Sequence, residues 1–432
     1  VCHDASGVAA NLVVVTDFHN GSTTGRGGVI WDGADTSVTE GAKIAWTIEG
    51  VADDGTDLTI TWQATYDGVG VDPCNATPAA GAPAFFAIPP FTFAGDTDPS
   101  NRNNLSILRN YAQGEDFILG TRADRAGQPG GTPGVSADNT TCAGNVATTV
   151  VPVEETDAMY GRVAIQGKPW VVAVDPDDED GAMQVRAKTP TYDWVVGESG
   201  AAPQRRAVAD TGLCLQCHVG SLYQHGGNRV DNIDMCTLCH NAAANDEYVR
   251  VDDYGVDPSE AYDGRAGQAF GIKEMVHAVH PAGATGNPVV IYRGRGIYAW
   301  ADDVSKLSNW PAGDWPGDID DLPVFGSDDG AGNPVLQNHH FHIPTYPRGL
   351  YDCAACHVTA VDILPDPTKA MATTVEAGAP PFGNQLNDVL EGAQTNSCIT
   401  CHADSASKGH AYQNSWSPQA FPEGRQTIID AR

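Results

Sequence analysis

The sequence predicts two domains of different class. Residues 1–204 read as an all-β domain, a sandwich or a barrel, and residues 205–432 as a domain of mostly irregular chain and short α-helices. Three observations predict this. A chain of 432 residues is long enough for two or three domains. Segments of the first half alternate apolar and polar residues at the period of a half-buried strand, with no helical stretch between them. Cysteine and histidine are unevenly placed: residues 1–200 hold three of the 11 Cys and two of the 13 His, and the remainder holds eight and eleven.

The strands are expected at Leu12–Thr16, Lys43–Glu49, Leu58–Thr65, Pro83–Phe93, Val146–Val153, Arg162–Val174 and Asp193–Gly197. Each is rich in Val, Ile, Thr or aromatic residues, and Gly, Asp, Asn and Pro clusters separate them. Many short strands with turn signals fit a sandwich or a barrel. The acidic run Asp175-Pro-Asp-Asp-Glu-Asp-Gly fails the EF-hand template: its Gly falls one residue late and its twelfth position is Arg186. It reads as a solvated turn rather than a calcium site. Cys74 and Cys142 are the two cysteines inside this β region, and in an exported protein they are expected to pair.

The formal net charge of −31 excludes nucleic acid as a partner, because phosphate binding needs basic patches. No apolar run reaches the roughly 18 residues of a membrane span. No basic-then-apolar leader opens the chain, which reads as an export signal already removed.

The second half carries the chemistry. Four segments match Cys-x-x-Cys-His: Cys214–His218, Cys236–His240, Cys353–His357 and Cys398–His402. This is the attachment signature of c-type haem. The two thiols of one turn (Cys214 with Cys217, Cys236 with Cys239, Cys353 with Cys356, Cys398 with Cys401) reach the two vinyl groups of one porphyrin. The next residue, His218, His240, His357 or His402, then meets the iron as proximal ligand. Zinc ribbons also use Cys-x-x-Cys pairs, but zinc gives no reason for a His after every pair. The sequence therefore predicts four covalent haems c, which also places the chain outside the cytoplasm. Porphyrins would supply much of the apolar core of so Gly-, Asp- and Pro-rich a half.

Each iron needs a sixth ligand. Met is scarce, five in the chain, whereas seven further His lie in this half, so bis-His ligation fits. His277 and His280 sit in Phe270-Gly-Ile-Lys-Glu-Met-Val-His-Ala-Val-His, a short helix stopped by Pro281. Their i, i+3 spacing puts both imidazoles on one face, where they can serve two neighbouring haems. His225 follows His218 by seven residues on a Gly-rich turn, and His410 follows His402 by eight. These four are the candidate distal ligands. His19, His339, His340 and His342 are surplus, open to a further haem or to an iron of a neighbouring subunit. Cys2-His3 has two readings: the tail of a fifth Cys-x-x-Cys-His whose first Cys precedes Val1, or a stray cysteine paired with another chain.

The run Arg205-Arg-Ala-Val-Ala-Asp, Cys214-Leu-Gln-Cys-His, His225-Gly-Gly-Asn-Arg-Val-Asp, Cys236-Thr-Leu-Cys-His-Asn and Met275-Val-His-Ala-Val-His resembles the OmcA/MtrC-type outer-membrane decahaem cytochromes. Tyr346-Pro before Cys353 is similar to the third motif of such a domain. The resemblance covers roughly residues 200–410. It implies split β-barrel domains alternating with pentahaem domains, with His-Gly-Gly and paired helical His as distal ligands. It also implies a surface-exposed cytochrome passing electrons to extracellular acceptors. The chain departs from the family in carrying four motifs where five are expected.

Six-coordinate bis-His iron has no open position, so electron transfer is its expected work, at low potential because Met is the ligand that raises it. A compact domain of about 230 residues has a radius of gyration of only ~17 Å, which crowds four porphyrins within electron-transfer reach. The expected partners are extracellular acceptors, other cytochromes or identical subunits, the last making a conducting homopolymer. The rival reading is a multihaem reductase. That enzyme needs one open iron, often marked by Cys-x-x-Cys-Lys, and no such motif is present.

Overall fold

The computed structural model describes residues 30–31, 34–75, 83–85, 105–112, 121, 127–171, 183–203, 205–218, 221–224, 227–312, 317–358, 373–375, 389–391, 399–402 and 406–407. Two compact units are present. The first comprises Val1–Tyr111, Gly130–Cys236 and Ala355–Val358, and the second Ala112–Pro129, Thr237–Ala354 and Thr359–Arg432. Residues 205–236, which lie beyond the composition boundary of the sequence, thus belong to the first unit.

The main strands of the first unit are β1 (Ile44–Asp53), β2 (Asp57–Tyr66), β3 (Leu105–Ala112), β4 (Thr140–Ala143), β5 (Val146–Pro152), β6 (Tyr160–Gly167) and β7 (Thr191–Val195). One sheet runs β1-β2-β5-β4, with the short strand Val69–Gly70 also on β2; a second runs β7-β6-β3. Alternation decides what β1 buries: Ile44, Trp46 and Ile48 point inward. A register shift between Ile48 and Gly50 then turns Val51 and Asp53 inward. Asp53 is buried there and accepts a hydrogen bond from Trp194 Nε1 at 3.0 Å. Asp67 (φ 49°) and Gly68 (φ 77°) reverse the chain after β2, the left-handed pair that a tight hairpin requires. The core mixes residues of both sheets, among them Leu58, Ile60 and Trp62 with Tyr111, Val163 and Trp194. The sheets also join at an edge, where Asp53 N–H donates to the Glu198 carbonyl (3.0 Å) and Gly200 N–H to that of Val51 (3.3 Å). Cys74 and Cys142 form a disulfide with Cα atoms 5.9 Å apart.

Six of the seven expected segments hold strands, Pro83–Phe93 at Pro83–Ala84. Leu12–Thr16, the acidic run from Asp175 and Cys2-His3 lie outside the described residues. β3 was not expected. Its Arg109 and Asn110 are buried, which hides the strand pattern, and Arg109 is held by the Glu154 carboxylate (2.6 Å) and the Gly131 carbonyl (3.1 Å).

The second unit departs from the expectation of mostly irregular and α chain. Among the described residues it carries a four-stranded sheet of β8 (Val289–Arg293), β9 (Gly296–Trp300), β10 (Gly317–Pro323) and β11 (Leu336–His342), in the order β8-β9-β11-β10. The local reason is plain: Val289-Val-Ile-Tyr is β-branched and aromatic, and Gly294-Arg295 turns it into a hairpin. One face buries Val290, Tyr292, Ile297, Ala299 and Phe341 against Tyr254 and Tyr262. The other buries Val289 and Ile291 against Phe270, Ala278 and Ala282. The sheet therefore backs the helix that carries His277 and His280.

His339, on β11, belongs to the first of these faces. It is fully buried, and burial lowers its pKa from 6.5 to about 4. The folded value lies below the unfolded one, so on acidification the unfolded chain takes the proton first. The resulting stability is complete above pH 6.5 and is lost as pH falls toward 4, by up to roughly 3 kcal/mol. Chemical denaturation at a series of pH values should show a shallower slope across that window for His339→Gln than for the wild-type chain.

Candidate haem-binding site

The motifs fold as short helical turns. Helix α1 (Thr211–Cys214) is capped by Asp210, whose carboxylate accepts from Gly212 N–H at 2.7 Å. The turn continues past it: Cys217 N–H and His218 N–H both donate to the Cys214 carbonyl, at 3.1 and 2.9 Å. Helix α2 (Ile233–Cys236) repeats the arrangement with Asn232, whose Oδ1 accepts from Asp234 N–H at 3.0 Å and Met235 N–H at 3.4 Å. In both, the first Cys thiol donates to the carbonyl four residues back, at 3.4 Å. The third motif begins as a 3₁₀ turn, Cys353–Ala355. Of the fourth, Cys401 and His402 are described and Cys398 is not; His225 and His410 also lie outside the described residues.

The donor set suits c-type haem. Cys214, Cys217, Cys236, Cys239, Cys353, Cys356 and Cys401 are not held in disulfides, as thioether formation requires. The histidine tautomers fit as well. His240 Nδ1 lies 2.8 Å from the Phe270 carbonyl and His357 Nδ1 lies 3.1 Å from that of Val208. A carbonyl only accepts, so Nδ1 carries the hydrogen and Nε2 keeps its lone pair for a metal. Leu350 and Tyr351, just before Cys353, are 48 % and 90 % exposed, apolar surface of the kind a porphyrin would cover.

Distant motifs are tied together. Asp210 N–H donates to the Cys356 carbonyl (3.1 Å) and Val358 N–H to that of Val208 (3.2 Å), which joins the first motif to the third. A hydrogen bond with the Cys356 thiol, and then burial, push the Cys214 thiol well above its ordinary pKa. Helix α3 (Ile272–Val279) joins the second motif to the fourth. At its start Ile272 N–H donates to the His240 carbonyl at 2.8 Å. Toward its end the Cys401 thiol donates to the His277 carbonyl at 3.5 Å. Asn287 Nδ2 holds the Cys401 carbonyl at 3.0 Å. His280 caps α3 just before Pro281, as expected; its Nδ1 lies 2.9 Å from the Val276 carbonyl, and the Tyr346 ring stands edge-on to it at 5.9 Å.

Three of the surplus histidines lie on β11. His339 faces the core, as described above. His340 stacks on Tyr298 with ring centroids 4.3 Å apart, and His342 is exposed beside Trp300. The parts that sequence reasoning missed are backbone and cap groups: the Val208 and Phe270 carbonyls, and Asp210 and Asn232. Only the caps had a signal, an Asp or Asn four residues before the first Cys.

Cysteine pairs each followed at once by a histidine, on turns tied to one another, define a multihaem c-type cytochrome. A family model described as outer membrane cytochrome MtrC/MtrF-like, domains II/IV, matches residues 206–427, just over half of the chain. The chain belongs to that family. Among solved structures it is similar to the outer membrane decahaem cytochrome OmcA, at 15 % identity and a TM-score of 0.37, covering 86 % of this chain and 46 % of that one. It is also similar to MtrC from Shewanella baltica OS185, at 10 % identity and a TM-score of 0.42, covering 91 % and 51 %. The chain thus spans about half the length of each. No curated protein matches it. Among the described residues no helix is long and apolar enough to cross a membrane.

Proposed function

We propose that this chain relays electrons at the outer cell surface, through closely spaced bis-His haems c, to an external acceptor or a partner cytochrome. Cys214/Cys217, Cys236/Cys239, Cys353/Cys356 and Cys398/Cys401 hold four haems. His218, His240, His357 and His402 are the proximal ligands, and His225, His277, His280 and His410 the distal ones. A haem bound at each motif supplies one-electron exchange between Fe(III) and Fe(II). The chain's own part is to hold the imidazoles of His240, His280 and His357 by Nδ1, so that Nε2 is aimed and the ligand does not swing away between redox states. The observation that carries the reading is α3. One short helix, bonded to His240 at its start and touching Cys401 near its end, carries two further histidines. Such a helix keeps two redox centres adjacent.

Pyridine haemochrome assay and intact mass should give four haems per chain; one or none ends the reading, and five assigns Cys2-His3 to a further haem. A resting high-spin iron signal would turn the assignment from carrier to reductase. Regular filaments under the electron microscope would extend the relay from copy to copy. Substituting His280 with Met should raise the potential of a single haem and leave the others nearly unchanged, because a Met ligand favours the reduced iron. A redox titration identical to that of the wild type would remove His280 from the ligand set.

A further inference from the structure

The core of the second unit holds a pair that the haem relay does not use. Tyr262 and His339 are both fully buried, and the phenol oxygen lies 2.8 Å from His339 Nε2. Their neighbours decide which one donates. His339 Nδ1 lies 2.9 Å from the Gln337 carbonyl, which only accepts, so Nδ1 carries the ring hydrogen and Nε2 is a bare lone pair. Phe325 N–H already donates to the phenol oxygen at 3.1 Å, so the phenol keeps its own hydrogen for Nε2. Burial holds both groups neutral, with His339 down to about 4 and Tyr262 up to about 12.

Rings lead away from the pair. Trp310 stands edge-on to Tyr262 at 4.7 Å and to His339 at 5.1 Å, and it is half-buried. Tyr292 stacks on Tyr262 at 5.9 Å, and Tyr254 lies 6.3 Å beyond. Losing an electron alone would leave a phenol radical cation in a low-dielectric core, which desolvation penalises. A phenol with a base already in line avoids that state. Tyr254 lacks such a base, since it donates to the Arg293 carbonyl.

We propose that Tyr262 is a redox-active tyrosine, which gives one electron by way of Trp310 to a strong one-electron oxidant and, in the same step, its phenolic proton to His339 Nε2. The O–H bond breaks and an Nε2–H bond forms. The oxidant gains one electron, and a neutral tyrosyl radical is left beside an imidazolium. One electron from a reduced carrier, with return of the proton, restores the phenol. The activity is the capture of oxidising equivalents, such as those that hydrogen peroxide generates with iron, before they damage other side chains. It does not depend on the haem assignment.

The test uses the full chain, oxidised beforehand with ferricyanide. It is then flashed with ruthenium tris-bipyridine as photo-oxidant and persulfate as terminal electron acceptor, and frozen for electron paramagnetic resonance. The expected result is a tyrosyl radical that narrows when the 13 tyrosines are ring-deuterated. It should be lost in Tyr262→Phe, weakened in His339→Leu, and formed more slowly in D₂O. A radical unchanged in Tyr262→Phe, no tyrosyl radical, or a rate indifferent to D₂O would overturn the proposal. Should either variant fail to fold, double resonance on the wild-type radical decides. Coupling to an exchangeable proton and to an imidazole nitrogen supports the pair, and its absence overturns it.

Discussion

Replacing Cys214 and Cys217 together with serine should lower the haem count by one per chain, from four to three, read by pyridine haemochrome and intact mass. Serine has nearly the shape of cysteine but forms no thioether, so the turn capped by Asp210 should survive while attachment is lost. The effect should also reach a second haem. The first motif is bonded to the third through Asp210 N–H and the Cys356 carbonyl, and the Val208 carbonyl fixes the tautomer of His357. Disturbing residues 208–217 therefore loosens the His357 imidazole, and the spectrum of that haem should shift while its thioethers stay intact. Serine at both Cys74 and Cys142, which already form a disulfide, should leave the count at four. An unchanged count after the first substitution, or a loss after the second, would refute the assignment of thiols.

Local pattern was enough to read much of the first unit. Lys43–Glu49 and Leu58–Thr65 carry the period of a half-buried strand, and Ile44–Glu49 and Leu58–Thr65 lie in β1 and β2. β3 was invisible for the opposite reason, because a buried Arg109 breaks the alternation and is satisfied by Glu154, 45 residues away in sequence. The hairpin of β8 and β9 carries an ordinary strand signal, masked by the Gly, Asp and Pro around it. β11 shows the sharper failure. Asn338-His-His-Phe-His looks like a row of spare ligands, yet in a strand alternate residues face opposite ways, so His339 and Phe341 enter the core while His340 and His342 do not. The Cys-x-x-Cys-His motifs stand out in the sequence because covalent haem attachment demands a fixed spacing. The groups that orient them do not. The Val208 carbonyl comes to His357 from 149 residues away, and no residue type marks a carbonyl.

Replacing Arg250 with Met should destabilise the second unit by about 3–5 kcal/mol, the usual cost of removing one partner from a buried ionic cluster. Arg250 is 1 % exposed, and every donor of its guanidinium is used. Nε donates to Asp246 Oδ1 at 2.8 Å. Nη1 donates to Asp263 Oδ1 at 2.7 Å and to the Arg265 carbonyl at 2.9 Å. Nη2 donates to Asp263 Oδ2 at 3.0 Å and to the Val290 carbonyl at 2.9 Å. The guanidinium also lies 4.4 Å over the Tyr292 ring. Burial alone would lower its pKa, but Asp246 and Asp263 hold it above the ordinary arginine value. One side chain thus ties the turn Val249–Asp253, the loop at Asp263–Arg265 and β8 together. Methionine fills part of the volume but leaves two buried carboxylates without a cation. Burial already raises the Asp246 pKa, and without Arg250 it should rise further. The loss should therefore be smaller at low pH, where Asp246 protonates at less cost. Lysine should rescue little, since one ammonium cannot make five hydrogen bonds in a fixed plane. Replacing Asp246 and Asp263 with Asn in the Met background should recover part of the stability, because the stranded charges are then gone. Chemical denaturation of the full chain measures all of these variants. A loss below about 1 kcal/mol for Arg250→Met, in the range of an exposed ion pair, would mean that the cluster is solvated and does not hold this unit together.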